Sequence, residues 1–328
     1  MSLDADTIVD RRRMRRKLTF WRVFAVLIAI CAVVAAGAAL RVPGTGVLTG
    51  QPGSAIARVT LTGLIRVDQQ RVEALERPAK SSAQAVIVHI NSPGGTTSGS
   101  EQLYDSLMRL KEKKPMVVVV DGLAASGGYI AAIGADHIIA QETSLVGSIG
   151  VLFQYPNVTE LMKTLGVKIE EIKSSPLKAA PNGFEPTSPE ARAAIESIVS
   201  DSYAWFRGLV KARRQLDEAG LDRVADGRVF TGRQAVALKL IDQLGDERTA
   251  LAWLAKEKKI DPDTPVRDYR LRDRLSDLPF LHTAAIAVLE VAGLGSWARH
   301  IEEWGAVQAV ERLSLDGLLA LWHPPVAN

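Results

Sequence analysis

The stretch DGLAASGGYIAA, Asp121 to Ala132, sets one hydroxyl, that of Ser126, between small residues and a glycine pair. A serine so placed can project from a crowded strand-to-helix turn with the N–H of Gly127 facing the same side, as an acyl-transfer nucleophile requires. A second glycine pair, Gly94-Gly95, closes NSPGG at an earlier strand-to-helix junction. In a parallel sheet both junctions lie at the carboxyl ends of strands, where open α/β folds place their ligands. Two backbone donors converging there would form an oxyanion hole. Against this, a lone serine at such a junction is ordinarily a helix cap, and either glycine pair alone is an ordinary tight turn.

A serine nucleophile needs a base. His89 lies within an apolar strand, His137 begins another, and His282, His300 and His323 fall in the last stretch. Each reads as structural, so a Ser-His-Asp triad finds little support. Lysine is the other route, because apolar surroundings disfavour the ammonium and leave an amine able to accept the serine proton. In IKSSPLKAAPNGF, Lys178 sits between Leu177 and Ala179, whereas Lys173 follows Glu170 and Glu171 and reads as solvated. On spacing alone, a surface Lys178 is the simpler reading.

The elements that must position these residues follow from pattern. Ala55 to Ile65 and Ala83 to Ile90 read as strands, and Met116 to Asp121 as a third, buried on both faces by its valine run. Between the last two, Leu103, Leu107 and Leu110 share a helical face, with Ser98 and Glu101 as a capping box and Pro115 as the stop. The GGYIAAIGA run predicts a helix closing at Gly134, followed by a strand at His137 to Ala140 and a helix at Thr159 to Gly166. Ser188 to about Ala219 reads as one long amphipathic helix with Ser188 as cap and Pro189 at its first position. Asp226 to Asp246 predicts a short strand, a helix capped by Thr231 and a glycine exit; Ala250 to Asn328 is helical by pattern. The alternation of strand and helix predicts an α/β fold with a parallel sheet and right-handed crossovers.

The chain has 328 residues and 47% hydrophobic content, enough for a sizeable core and too much for a disordered chain. Its net charge of +3 arises entirely before residue 42, where eight basic residues stand against three acidic ones; the remainder is slightly acidic and carries no nucleic-acid footprint. The single cysteine, Cys31, excludes an internal disulfide. Residues Val23 to Leu40 are uncharged for 18 positions and follow RRRMRRK, which predicts a transmembrane helix with a cytoplasmic amino terminus. A cleaved signal peptide is the alternative, disfavoured because the apolar run exceeds a usual signal core of about 7–15 residues. This divides the chain into a basic terminus (1–22), an anchor (23–40), a Pro/Gly linker (41–54), a folded α/β domain (55–249) and a helical extension (250–328).

NSPGG, AASGGY followed by GSIGV, IKSSPLKAAPNGFEPTSPEAR and GRVFTGRQA, in this order, resemble the short form of the bacterial signal peptide peptidase A family. The similarity runs from about Ala55 to Thr249. The resemblance implies a Clp protease/crotonase-like fold with Ser126 as nucleophile and Lys178 as general base. It assigns oxyanion donors to Gly95 and Gly127, and to Ser148 the orientation of the lysine amine. It further implies hydrophobic remnant signal peptides as substrates, no cofactor or metal, and a homo-oligomeric ring, octameric in short chains. The anchor then places the catalytic domain outside the cytoplasm, attached to membrane lipid. Two other readings keep the fold: a crotonase-like enzyme acting on acyl-CoA, which an extracytoplasmic location disfavours, and a non-catalytic membrane scaffold whose Ser126 only caps a helix.

Overall fold

The computed structural model describes residues 21–22, 54–271 and 318–322. The expected span at 23–40 lies outside the described residues, among which no helix is long and apolar enough to cross a membrane. Residues Pro52–Arg272 and Leu315–Asn328 form one compact unit, and all that follows concerns it.

The first half of the unit runs β1 (Ala55–Thr62), α1 (Gln69–Lys80), β2 (Ala83–Ser92), β3 (Gly94–Thr96), α2 (Thr97–Lys111), β4 (Met116–Ala125), α3 (Gly127–Ala132), β5 (His137–Ala140), β6 (Leu145–Gly147) and β7 (Leu152–Phe153). It continues with α4 (Thr159–Leu165), α5 (Pro189–Arg214), α6 (Glu218–Asp222), β8 (Val229–Thr231), α7 (Gly232–Ala237), β9 (Gln243–Leu244), α8 (Glu247–Lys258), β10 (Val266–Tyr269) and β11 (Leu318–Leu321). The main sheet has the order β10-β1-β2-β4-β5-β9, all parallel. β6 pairs in parallel with the end of β4, and β8 runs antiparallel to β6.

Because side chains alternate along a strand, the sheet has two apolar faces. Val86, Val88, Ile90, Val118 and Val120 pack with Leu103, Leu107 and Leu110 of α2 and with Tyr129 and Ile130 of α3. Ile56, Ile87, Val117, Val119 and Ile139 pack on Ala250 and Leu254 of α8. The valine run of β4 is thus buried on both faces, as its composition requires. Tyr129, fully buried, donates its hydroxyl to the carbonyl of Leu240 at 2.7 Å, and burial pushes its phenol pKa up.

Several boundaries differ from expectation, each for a local reason. The cap of α2 is Thr96, whose side chain accepts from Gly99 N–H; Ser98 already lies inside the helix because β3 delivers the chain in an extended conformation up to Thr96. The long helix is two: α5 ends where Gln215 turns left-handed at φ 52°, and Asp217 then caps α6 by accepting from Gly220 N–H. Periodicity continues across that corner, so the pattern alone merges them. The stretch expected to be a helical extension begins inside α8 and holds two strands. β10 adds to the edge of the main sheet beside β1, and β11 joins a separate sheet with β3 and β7. Both strands are four residues long, and their pairing partners lie far away in sequence, so local pattern could not select them.

The structural reading of His89 holds. Its Nδ1 lies 2.8 Å from Asp121 and its Nε2 2.7 Å from Glu247, which in turn accepts from Arg58 Nε at 2.6 Å. Arg58 also reaches Asp268 at 2.9 Å. Hydrogen bonding from Arg58, followed by the opposing effect of burial and the bond from His89, holds the Glu247 carboxyl below the ordinary glutamate value. A carboxylate depressed in the fold contributes stability that is fully present above the unfolded pKa of about 4.3 and is lost as pH falls through the folded value. Glu247→Gln is therefore expected to be less stable than wild type at pH 7, with the gap closing below about pH 4. Denaturant unfolding of both chains at pH 7 and pH 3 checks this.

Candidate active site

Ser126 ends β4 and precedes α3, occupying the N-cap position, yet it makes no side-chain capping bond. Its backbone is left-handed, at φ 54° and ψ −117°, a conformation costly for a residue with a Cβ. The corner is held by its own amide, which donates to Gly147 O at 2.8 Å, and by its carbonyl, which accepts from Tyr129 and Ile130 N–H. The hydroxyl lies 3.5 Å from the carbonyl of Gly150. Only 1% of Ser126 is exposed in the chain as folded here.

The glycines answer for the space around it. Gly94 has φ 98°, and a Cβ there would lie 2.7 Å from Gly127 N and 2.0 Å from the carbonyl oxygen of Ala320. A Cβ on Gly127 would lie 2.1 Å from Ser100 Oγ. The start of β3 and the start of α3 therefore pass closer than any side chain allows. As the first residue of α3, Gly127 presents one of the N–H groups that a helix start leaves without an intrahelical partner. On the other side, Ile65 N–H donates to Gly94 O at 2.8 Å and Thr96 N–H to Ile65 O at 2.9 Å. Alternation along the strand turns the N–H of Gly95 the opposite way, toward β11.

Ser148 follows β6, whose Gly147 is in register with Ala125, so it stands beside Ser126 at the ends of neighbouring strands. It too is left-handed, at φ 50°, and is tied by its amide to Arg228 O at 2.8 Å. The fold thus gathers Gly95, Ser126, Gly127 and Ser148 at one end of the sheet. Lys178 is not gathered with them. It lies in a turn closed by its own amide to Ser175 O, with left-handed Ala179 after it, and it is exposed; among the described residues no hydrogen bond joins it to Ser126. Lys173, read from sequence as solvated, is instead half-buried and pairs with Glu171 and Glu185 at 2.5 and 2.7 Å.

Two features at the site escaped the sequence reading. Gly94, not singled out from Gly95, is the glycine with positive φ, and the segment at Ala320 comes from a region with no recognisable motif. A signal for the second existed: Leu318–Leu321 is a short apolar run set off by Gly317 and by Pro324-Pro325.

Residues 108–261 match the family described as peptidase family S49, and residues 69–145 match the Clp protease family. A candidate protease of Synechocystis sp. is 37% identical over 63% of this chain and 76% of its own length. A candidate signal peptide peptidase SppA of Enterococcus faecium is 34% identical over 58% of the chain and 55% of its own length. Protease 4 of Haemophilus influenzae is 30% identical over 58% of the chain. The chain spans about half of the second relative and 31% of the third. The fold is mixed α/β with a parallel sheet and a Clp protease-like domain.

The close approach at Gly94 predicts unequal effects for two glycines of positive φ. Gly166→Ala, at φ 68° with open space around it, should cost only the left-handed penalty of about 1–2 kcal/mol. Gly94→Ala should cost more, because its Cβ would also meet backbone atoms of Ala320 and Gly127. Urea midpoints of the two variants check this.

Proposed function

The chain belongs to peptidase family S49, and from that premise we propose that it is a serine endopeptidase whose nucleophile is Ser126 and whose general base is Lys178. The observation that carries the reading is Ser126 itself: a serine at a helix start that does not cap its helix, on a strained corner beside two glycines. Strain of about 1–3 kcal/mol persists only where surrounding structure over-determines it, and a capping role would not require it.

In this mechanism the neutral amine of Lys178 takes the hydroxyl proton as Ser126 Oγ attacks the substrate carbonyl. The N–H groups of Gly95 and Gly127 hold the oxyanion, and Ser148 orients the amine. The proton then passes to the leaving amine, and water, activated by the same lysine, releases the acyl group. No cofactor takes part.

Lys178 must meet Ser126 for this to work, and assembly supplies a reason. The segment that bears it exposes Leu161, Leu165, Ile169, Ile172 and Leu177. An apolar face of this kind is covered by association, and the occupant proposed is a second copy of the chain in a homo-oligomeric ring. Assembly would cover the lysine and bring it to a serine, in its own protomer or the next. The uncharged run at 23–40 behind a basic cluster supports an anchored topology with the catalytic unit outside the cytoplasm. Hydrophobic peptides, remnant signal peptides among them, are the proposed substrates.

Cleavage of a hydrophobic signal-like peptide by the assembled protein should fall about 10⁴-fold or more in Ser126→Ala and comparably in Lys178→Ala. Lys178→Arg should not restore it, because a guanidinium stays charged. Fluorophosphonate should label Ser126 in wild type alone. Unchanged turnover in both alanine variants would refute the dyad.

A further inference from the structure

Ser92 ends β2, is only 1% exposed, and carries a hydroxyl for which the mechanism above has no use. Its Oγ donates to Gly63 O at 2.7 Å and accepts from Gly94 N–H at 3.1 Å. A hydroxyl has one hydrogen and two lone pairs, so it makes both bonds at once. The second bond closes a turn across Pro93, in which a serine takes the amide two residues on. The first reaches the loop that leaves β1.

Both bonds act on the entry to β3. Gly94 is buried and has positive φ, at 98°, so its amide needs a partner inside the protein and its conformation must be held by what surrounds it. Ile65, in the same loop as Gly63, donates to Gly94 O and accepts from Thr96 N–H. That loop therefore grips β3 by direct backbone bonds at Ile65 and by a bridge through the Ser92 hydroxyl, and the bridge fixes the residue just before Gly95.

The backbone of Ser92 faces the other glycine pair. A Cβ on Gly128 would lie 2.6 Å from the Ser92 carbonyl oxygen, and one on Gly127 would lie 3.2 Å from Gly94 Cα. The sheet register agrees. β2 pairs Ile90 with Val120 and then Ser92 with Ala124, an irregularity that brings the end of β2 beside the residue two before Ser126. One buried serine thus stands against both the strand that carries Gly95 and the helix that begins at Gly127.

We propose that Ser92 is the positioning residue of the oxyanion site, its hydroxyl holding Gly94 so that the amides of Gly95 and Gly127 keep a fixed spacing. The proposal rests on the peptidase reading and adds the side chain that sets the two donors relative to each other. Ser92 has no part in binding the ground state. A misplacement of about 1 Å can cost about 10²-fold in rate, and a donor needed only when charge develops on the carbonyl oxygen affects kcat rather than KM.

The test uses the full-length assembled protein. Ser92→Ala removes the bridge, and Ser92→Cys keeps a similar volume while replacing the hydroxyl by a weak donor and acceptor. Both should lower kcat for a hydrophobic peptide about 10- to 100-fold with KM within about twofold of wild type. Both should weaken a reversible peptide aldehyde, whose adduct with Ser126 presents the same oxyanion, in the same proportion. Ser106→Ala removes another buried hydroxyl, one that α2 uses on Gln102 O, and should leave kcat and KM unchanged. Urea midpoints establish that the variants compared are folded. Folded Ser92 variants with wild-type kcat, or with raised KM at unchanged kcat, overturn the positioning role even where cleavage depends on Ser126. Cleavage that survives Ser126→Ala refutes the peptidase reading itself, and the role of Ser92 falls with it.

Discussion

Everything at this site depends on two stretches of backbone meeting without side chains between them. The entry to β3 at Gly94 and the entry to α3 at Gly127 approach so closely that a Cβ on the first would lie 2.7 Å from the amide nitrogen of the second. That contact leaves no room for a side chain at either glycine and holds the start of α3 against the start of β3, on the far side of the corner at Ser126. With the chain coming out of β4 and α3 pinned against β3, the intervening residue has only a left-handed corner in which to stand. The cost is carried by the core behind it, where Tyr129 and Ile130 lock α3 onto the sheet.

The two faces of the sheet divide the labour. One carries α2 and α3 and delivers the strand ends that bear Gly94, Gly95 and Ser126. The other carries α8 and the Arg58–Glu247–His89–Asp121 network. His89, held between two carboxylates on that face, ties β2 to β4 and to the start of α8.

β3 is held on both edges: Ile65 donates to Gly94 O and accepts from Thr96 N–H on one side, and β11 pairs with it on the other. Its three residues thereby join the end of the main sheet to the small sheet of β3, β11 and β7.

Much of this was legible in the chain itself, because local physics decides it. The valine run of β4, the period of Leu103, Leu107 and Leu110, the glycine pairs and the cap at Thr231 are read from neighbours a few residues apart, and the structure has them where periodicity and capping place them. Ordered motifs were enough to single out Ser126, since crowding by small residues is a property of adjacent positions. What neighbours could not determine was everything settled by contacts between distant residues. The left-handed turn at Gln215, the pairing of β10 with β1, and the choice of Gly94 rather than Gly95 for positive φ all depend on packing across the fold. Leu318–Leu321 is the extreme case: four apolar residues with no motif acquire meaning only from Gly95, more than two hundred positions earlier, because a strand edge takes its partner by open hydrogen-bonding groups and not by proximity in sequence.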